Sequence, residues 1–365
     1  MTRISACHAT LVSVCLATVF NVAFAQSNSS AGVTDLPALS SAQAPSSSKA
    51  EKLYSKAVKD LSSGNYQAAL SGFQKADQED GGHCVACEFE AYKTAMHLED
   101  YAAAREQTAL LLNHASGPEQ QAEAHYLAGE ACLSEGGYRI FEAPFQQADS
   151  EFQAALKIQP DNHACVFQDG VALAHLHRYA DAKARFDEYM KAVPNSGAQY
   201  ARAQLFSAQP ELARKRVAPD FRVTGLDGKP ISLDSMIGKV VLLDFWATWC
   251  GPCRQALPKM KEIAKEFEGE PLVIVSISLD ADEGEWKSFI TKNGMTWAQY
   301  RDGGFDGELA SRFHVNAIPT TFTIDAQGFL QDQQVGSGEI EAKLKELIDK
   351  AKQDSKGKTL ADARN

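Results

Sequence analysis

Two cysteines one helical turn apart, in Trp249-Cys250-Gly251-Pro252-Cys253, follow directly on the apolar run Val240-Val241-Leu242-Leu243-Asp244-Phe245-Trp246. The run reads as a buried strand, because short continuous apolar stretches rich in β-branched and aromatic residues suit a strand covered on both faces. A helix beginning at the motif places the first sulfur beside unpaired backbone N–H groups and the positive end of the helix dipole, which favour a thiolate. Cys250 is then placed to attack a partner disulfide. Cys253, one turn on and on the same face, is placed to resolve the mixed disulfide and release the partner reduced. Pro252 suits the first turn, where its fixed φ is helical and its missing N–H goes unused. A zinc site would need a second ligand pair, and no Cys or His pair follows in this half of the chain; a c-type haem site would need His where Arg254 stands. The pattern is that of a dithiol/disulfide redox centre with Trp249, Gly251 and Pro252 as supporting residues.

Ala218-Pro219-Asp220-Phe221, Asp227-Gly228-Lys229 and the stretch from Gly238 to Arg254 resemble the N-terminal hairpin, first core strand and active-site turn of the TlpA/ResA-like branch of the thioredoxin superfamily, exported thiol-disulfide oxidoreductases. The resemblance runs from about Val217 to Ala351. Ile318-Pro319-Thr320-Thr321-Phe322 is similar to the family's cis-proline strand, which implies that Pro319 is cis, packs against the disulfide and leaves backbone groups beside Cys250 for a substrate strand. Asp244, six residues before Cys250, matches the buried acid of thioredoxins. Burial raises a carboxyl pKa, so Asp244 is the candidate acceptor of the Cys253 proton; the alternative is a satisfied structural carboxylate. Pro258 matches the proline of the active-site helix. Ala256 stands where the branch commonly carries Glu, which leaves open any role of that acid in tuning the thiols or choosing a cytochrome c substrate. Ser276 occupies the place of the thioredoxin lysine that pairs with the buried acid, leaving proton handling to Asp244 and water. The Ala-Pro-Asp-Phe opening is shared with peroxiredoxins, but Ala247 stands where a Thr or Ser precedes their peroxidatic cysteine, which argues against a peroxidase.

The order of elements expected for this α/β domain, residues 215–353, is a hairpin before Asp234, strand 240–246, helix 253–267, strand 272–279, a helix near 286–292, strands 320–324 and 330–335, and a final helix 339–351. The segment from Asp280 to Tyr300 resembles the extra helix and strand of the TlpA/ResA-like branch. Residues 354–365 read as a flexible tail.

Upstream the pattern changes to alanine-rich helical periodicity with a longer self-similarity. An aromatic residue is followed by a small one and then a larger one in Tyr66/Ala69/Phe73/Ala76, Tyr101/Ala104/Thr108/Leu111, Phe145/Ala148/Phe152/Ala155 and Tyr179/Ala182/Phe186/Tyr189. The starting residues lie 35, 44 and 34 apart, close to the ~34-residue tetratricopeptide (TPR) period, the long interval absorbing an insertion around Gly136 to Pro144. Residues 50–214 therefore resemble a TPR-like array of degenerate repeats closed by a capping helix from Gln199 to Arg214. Such helix pairs stack to bury their apolar stripes and expose a concave face that suits a peptide or protein segment; a spacer or dimerisation surface is the alternative. Cys87 and Cys165 each lie 14 residues before a repeat tyrosine, so they are expected at equivalent positions on first helices. For Cys84-Val85-Ala86-Cys87 the readings are a local disulfide or buried thiols, a second redox centre, or a zinc site with His83. Cys132 and Cys165 are candidates for a bridge between repeats.

Residues 1–25 read as an export signal: Arg3, an apolar stretch from Leu11 to Phe24, and Ala23-Phe24-Ala25 before Gln26. Residues 26–49, rich in Ser, Ala and Pro, read as a disordered linker. Export implies a periplasmic or otherwise extracytoplasmic setting where disulfides persist, with anchoring through an uncleaved signal as a variant. Without the signal, 35 Lys and Arg stand against 47 Asp and Glu, a balance that argues against nucleic acid as partner. No phosphate-binding loop or dinucleotide fingerprint is present, so no nucleotide, flavin or other cofactor, and no metal, is expected. The expectation is an exported two-domain oxidoreductase acting on protein dithiols and disulfides, with the repeats recruiting a partner. The resemblance adds a membrane thiol transporter as electron donor. The alternative is a binding protein whose redox pair is a switch or a vestige.

Overall fold

A computed structural model describes residues 36–138, 142–336, 338 and 340–362. The expected signal, residues 1–25, and the linker as far as residue 35 lie outside the described residues. From Pro37 the chain forms α1 (Pro37–Ser40), α2 (Ser48–Ser62), α3 (Tyr66–Glu79), α4 (Val85–His97), α5 (Tyr101–His114), α6 (Pro118–Tyr138), α7 (Glu142–Ile158), α8 (His163–His175), α9 (Tyr179–Ala192) and α10 (Ala198–Ala208). From α2 onward each helix packs on the next. The small and aromatic positions of the sequence pattern make these contacts: Ala69, Phe73 and Ala76 of α3, Ala148, Phe152 and Ala155 of α7, and Ala182 and Phe186 of α9 are fully buried. Gly129 of α6 and Gly170 of α8 lie beneath the rings of Phe152 and Phe186, where a Cβ would collide with the aromatic edge. Side-chain caps start the helices where the sequence turns: Asp100 accepts the N–H of Ala103, and Asn162 that of Cys165.

Several expectations need correction here. Residues 36–49 are not a disordered linker throughout, because Leu36 and Leu39 are buried and the Asp80 carboxylate accepts the N–H groups of Ser46 and Ser47. The capping helix breaks at Pro210, which cannot donate an N–H to the preceding turn; α10 ends at Ala208 and a 3-10 turn covers Pro210–Arg214. The long repeat interval is absorbed largely by the 21-residue α6. Cys84 and Cys87 form a disulfide at the start of α4, whereas Cys132 and Cys165 remain separate buried thiols rather than a bridge. Burial pushes the Cys132 thiol up to about 11 and that of Cys165 higher still.

The second domain opens with an antiparallel hairpin, β1 (Arg222–Thr224) and β2 (Pro230–Ser232). Its five-stranded sheet has the order β5-β4-β3-β6-β7, built from β3 (Val240–Trp246), β4 (Leu272–Ser278), β5 (Ala298–Arg301), β6 (Thr320–Ile324) and β7 (Leu330–Val335). β3, β4 and β5 run parallel, and β6 and β7 are antiparallel to their neighbours. All seven residues of the central β3 are buried, as a continuous apolar run between two covered faces requires. On one face Val240 and Leu242 meet Met260 and Ile263 of α11 (Gly251–Glu266) and Leu344 and Leu347 of α14 (Glu341–Asp362). On the other, Val241, Leu243 and Phe245 meet Trp286 of α12 (Glu283–Asn293) and Leu309 of α13 (Glu308–Arg312). This is an α/β thioredoxin-like architecture. The expected tail is helical as far as Asp362, since no proline follows residue 339 and an isolated Gly357 costs only about 1 kcal/mol in a helix.

The two domains share an apolar contact. Phe329, in the β6–β7 turn, joins the core of the last helices with Phe167, Phe186 and Phe206. Backbone bonds from Ala218 N to Gly328 O at 3.0 Å and from Leu330 N to Arg216 O at 2.9 Å tie the junction to the same turn. Farther along, Tyr66 reaches Ser311, and the Nε2 of His314 lies 3.4 Å from a Glu99 carboxylate oxygen.

Candidate active site

β3 delivers the chain to the site and α11 receives it. Cys250 is the N-cap of α11, and its Sγ accepts the N–H of Cys253 at 3.2 Å. Gly251 and Pro252 fill the first turn, and Cys250 and Cys253 are joined as a disulfide with Cα atoms 5.3 Å apart. Only 6% of Cys250 and 5% of Cys253 is exposed, while Trp249 beside them is 58% exposed. The pair is therefore almost wholly covered, with an exposed aromatic side chain next to Cys250 in the chain.

The Ile318–Pro319 peptide bond is cis. Ile318 O lies 3.8 Å from Cys250 Sγ, and Pro319 O accepts the N–H of Gly336 at 2.8 Å, which fixes the loop against the end of β7. Val335, which pairs with Thr320, is 64% exposed. Trp249 and Val335 thus offer apolar surface near the disulfide, on residues whose backbone is anchored by strands or by a helix start.

Asp244 is buried in β3, opposite Ser276 of β4 and Thr321 of β6. Burial pushes its carboxyl up to about 6, partly offset by the Ser276 hydroxyl, which donates to Asp244 Oδ2 at 2.8 Å. The same hydroxyl oxygen accepts the indole N–H of Trp297 at 2.8 Å. Ser276 is therefore a direct hydrogen-bond partner of the buried acid in the place of the thioredoxin lysine. Asp244, Cys253 and Pro319 line one cavity of about 20 Å³ together with Ala256 and Leu257, room for a single water.

Asp280 was not legible as part of the site. Its buried carboxylate accepts the Thr248 N–H at 3.0 Å, the Thr248 hydroxyl at 2.6 Å and the Ser278 hydroxyl at 2.6 Å. It thereby pins the turn between β3 and Cys250 from the end of β4. The sequence signal is faint: a Ser-x-Asp at a strand end, 32 residues from the threonine it holds.

A buried strand feeding a helix whose N-cap cysteine is paired with the third residue beyond it, beside a cis-proline, defines a thiol-disulfide oxidoreductase of the thioredoxin superfamily. Residues 215–333 match the AhpC/TSA family. The chain is 30% identical to the thiol-disulfide oxidoreductase ResA of Bacillus anthracis over 146 residues, 39% of this chain and 83% of that protein. It is 37% identical to the thioredoxin-like protein YneN of Bacillus subtilis over 133 residues, 35% of this chain and 76% of that protein. Among solved structures, a thiol-disulfide oxidoreductase from Bacteroides fragilis is 30% identical and covers 36% of this chain and 99% of its own, with a TM-score of 0.34. Through its C-terminal domain, the chain belongs to the ResA family of thiol-disulfide oxidoreductases. Protein thiols and disulfides are the substrates that class of site handles.

Proposed function

We propose that the protein reduces disulfides in protein partners outside the cytoplasm and that its helical domain is a TPR array that recruits them. In the reduced enzyme the Cys250 thiolate, stabilised by the N-terminus of α11, attacks one sulfur of the partner disulfide; the second partner sulfur leaves with the electron pair and takes a proton. Asp244 accepts the Cys253 proton through the small cavity. The Cys253 thiolate then attacks Cys250 Sγ, the partner leaves as a dithiol, and the enzyme carries the disulfide. Pro319 and the Ile318 carbonyl hold the partner backbone while Trp249 and Val335 give it apolar footing. A membrane thiol transporter returns the two electrons. The apolar stretch from Leu11 to Phe24 supports export, and the fully buried alanines Ala69, Ala104, Ala148 and Ala182, with first and last intervals of 35 and 34 residues, support the TPR reading.

The observation that carries this reading is Cys250 Sγ at the helix N-cap, 3.8 Å from the carbonyl that precedes a cis-proline. Reduction of insulin disulfides by the full chain tests it. Activity that survives Cys84→Ala/Cys87→Ala and disappears with Cys250→Ser supports the assignment; activity that survives Cys250→Ser refutes it.

A further inference from the structure

Leu36–Ser40 is held as a bound peptide would be. A single helical turn has no stability of its own in water, so its shape is imposed by α4 and α6, against which it packs. Leu36 and Leu39, 7% and 1% exposed, enter the apolar cluster that contains Phe89 and Tyr92 of α4 and Leu127 of α6. The backbone is gripped as well. Ala38 N donates to Glu123 Oε1 at 3.0 Å, Leu39 N to Glu123 Oε2 at 2.7 Å, and Gln120 Nε2 donates to Ala38 O at 3.0 Å. Glu123 is 5% exposed, and the partners of its two oxygens are these N–H groups. A buried carboxylate facing two peptide N–H groups is a recognition device for the open start of a helical turn, and it is costly to leave unfilled.

We propose that the α4–α6 groove is a recruitment site for a peptide presenting two apolar side chains three residues apart on a helical turn, and that Leu36–Ser40 is its intramolecular occupant. The proposal rests on the reading that the helical domain recruits partners, and it names the site and the chemistry recognised. The segment meets the groove with two apolar side chains and three backbone groups, so an equivalent sequence in trans can replace it once it is displaced.

The test uses the full chain and a fluorescein-labelled peptide of residues 33–44. Leu39→Asp is expected to expel the resident segment and admit the peptide. Wild type and the Leu39→Asp/Glu123→Gln double variant are expected to bind it roughly tenfold or more weakly, a difference of about 1.4 kcal/mol. Failure of a folded Leu39→Asp chain to bind, or binding indifferent to Glu123, overturns the proposal. Should Leu39→Asp fail to fold, hydrogen exchange in the wild-type chain decides: Ala38 and Leu39 amides exchanging well ahead of the α4 and α6 core support a displaceable segment, and exchange only with global unfolding refutes it. Because peptide binding involves no redox step, its failure alongside intact partner trapping at Cys250 removes the groove assignment and leaves the thiol chemistry standing.

Discussion

Asp244 ties the chemistry of the site to the stability of the fold. Its folded-state pKa, about 6, lies above the ordinary aspartate value of 3.8, so the folded chain binds this proton more tightly than the unfolded one. The stability gained is fully present below about pH 4 and is lost as pH rises through 6. Asp244→Asn is accordingly expected to stabilise the protein at pH 8, by an amount on the order of 2–3 kcal/mol, and to make little difference at pH 4. Urea unfolding at the two pH values measures it; equal effects at both would contradict the burial argument. The same substitution is expected to slow insulin reduction by roughly 10²-fold if the carboxylate takes the Cys253 proton. Ser276 and Asp244 were both visible in the sequence, but their bond was not: it depends on the parallel register that sets β4 beside β3.

At the scale of elements, the turn between β3 and α11 is held by a residue of neither. Asp280→Ala removes the acceptor for the Thr248 N–H, leaving a part-buried donor unsatisfied, and is expected to cost roughly 2 kcal/mol. It is also expected to lower the rate at which iodoacetamide alkylates reduced Cys250 below pH 7, because a loosened turn no longer holds Sγ at the N-cap. Stability loss with an unchanged alkylation profile would reduce Asp280 to a structural carboxylate. β3, α11 and the cis-proline strand were legible because each carries its own local signature, a buried run, a cysteine motif or an X-Pro pair. The five-residue α13 and the turn at α1 carry none. Short helices gain their stability from what they pack against, and that lies far off in sequence: Leu39 from α1 meets Glu123, 84 residues on.

Across the whole molecule, the division into two domains near Arg216 follows from the change of hydrophobic period, but their docking does not. Phe329 sits in a tight turn, where an aromatic residue gives no hint of its partner, yet it is 2% exposed among the phenylalanines of the last helices. Phe329→Ala is expected to destabilise the chain by about 3 kcal/mol and to open the junction at Arg214 to Arg216 to trypsin. Resistance equal to wild type would mean that the junction stays closed without this ring. Under the recruitment proposed above, a docked helical domain raises the effective concentration of a held partner at Cys250.

The most direct test is to ask which sulfur meets the substrate. Reduced full-length Cys253→Ser, mixed with a disulfide-bearing protein such as insulin and quenched by alkylation, is expected to accumulate a mixed disulfide that peptide mass spectrometry maps to Cys250. Absence of any adduct while Cys250 remains alkylatable, or an adduct mapped to Cys84 or Cys87 instead, would contradict the account.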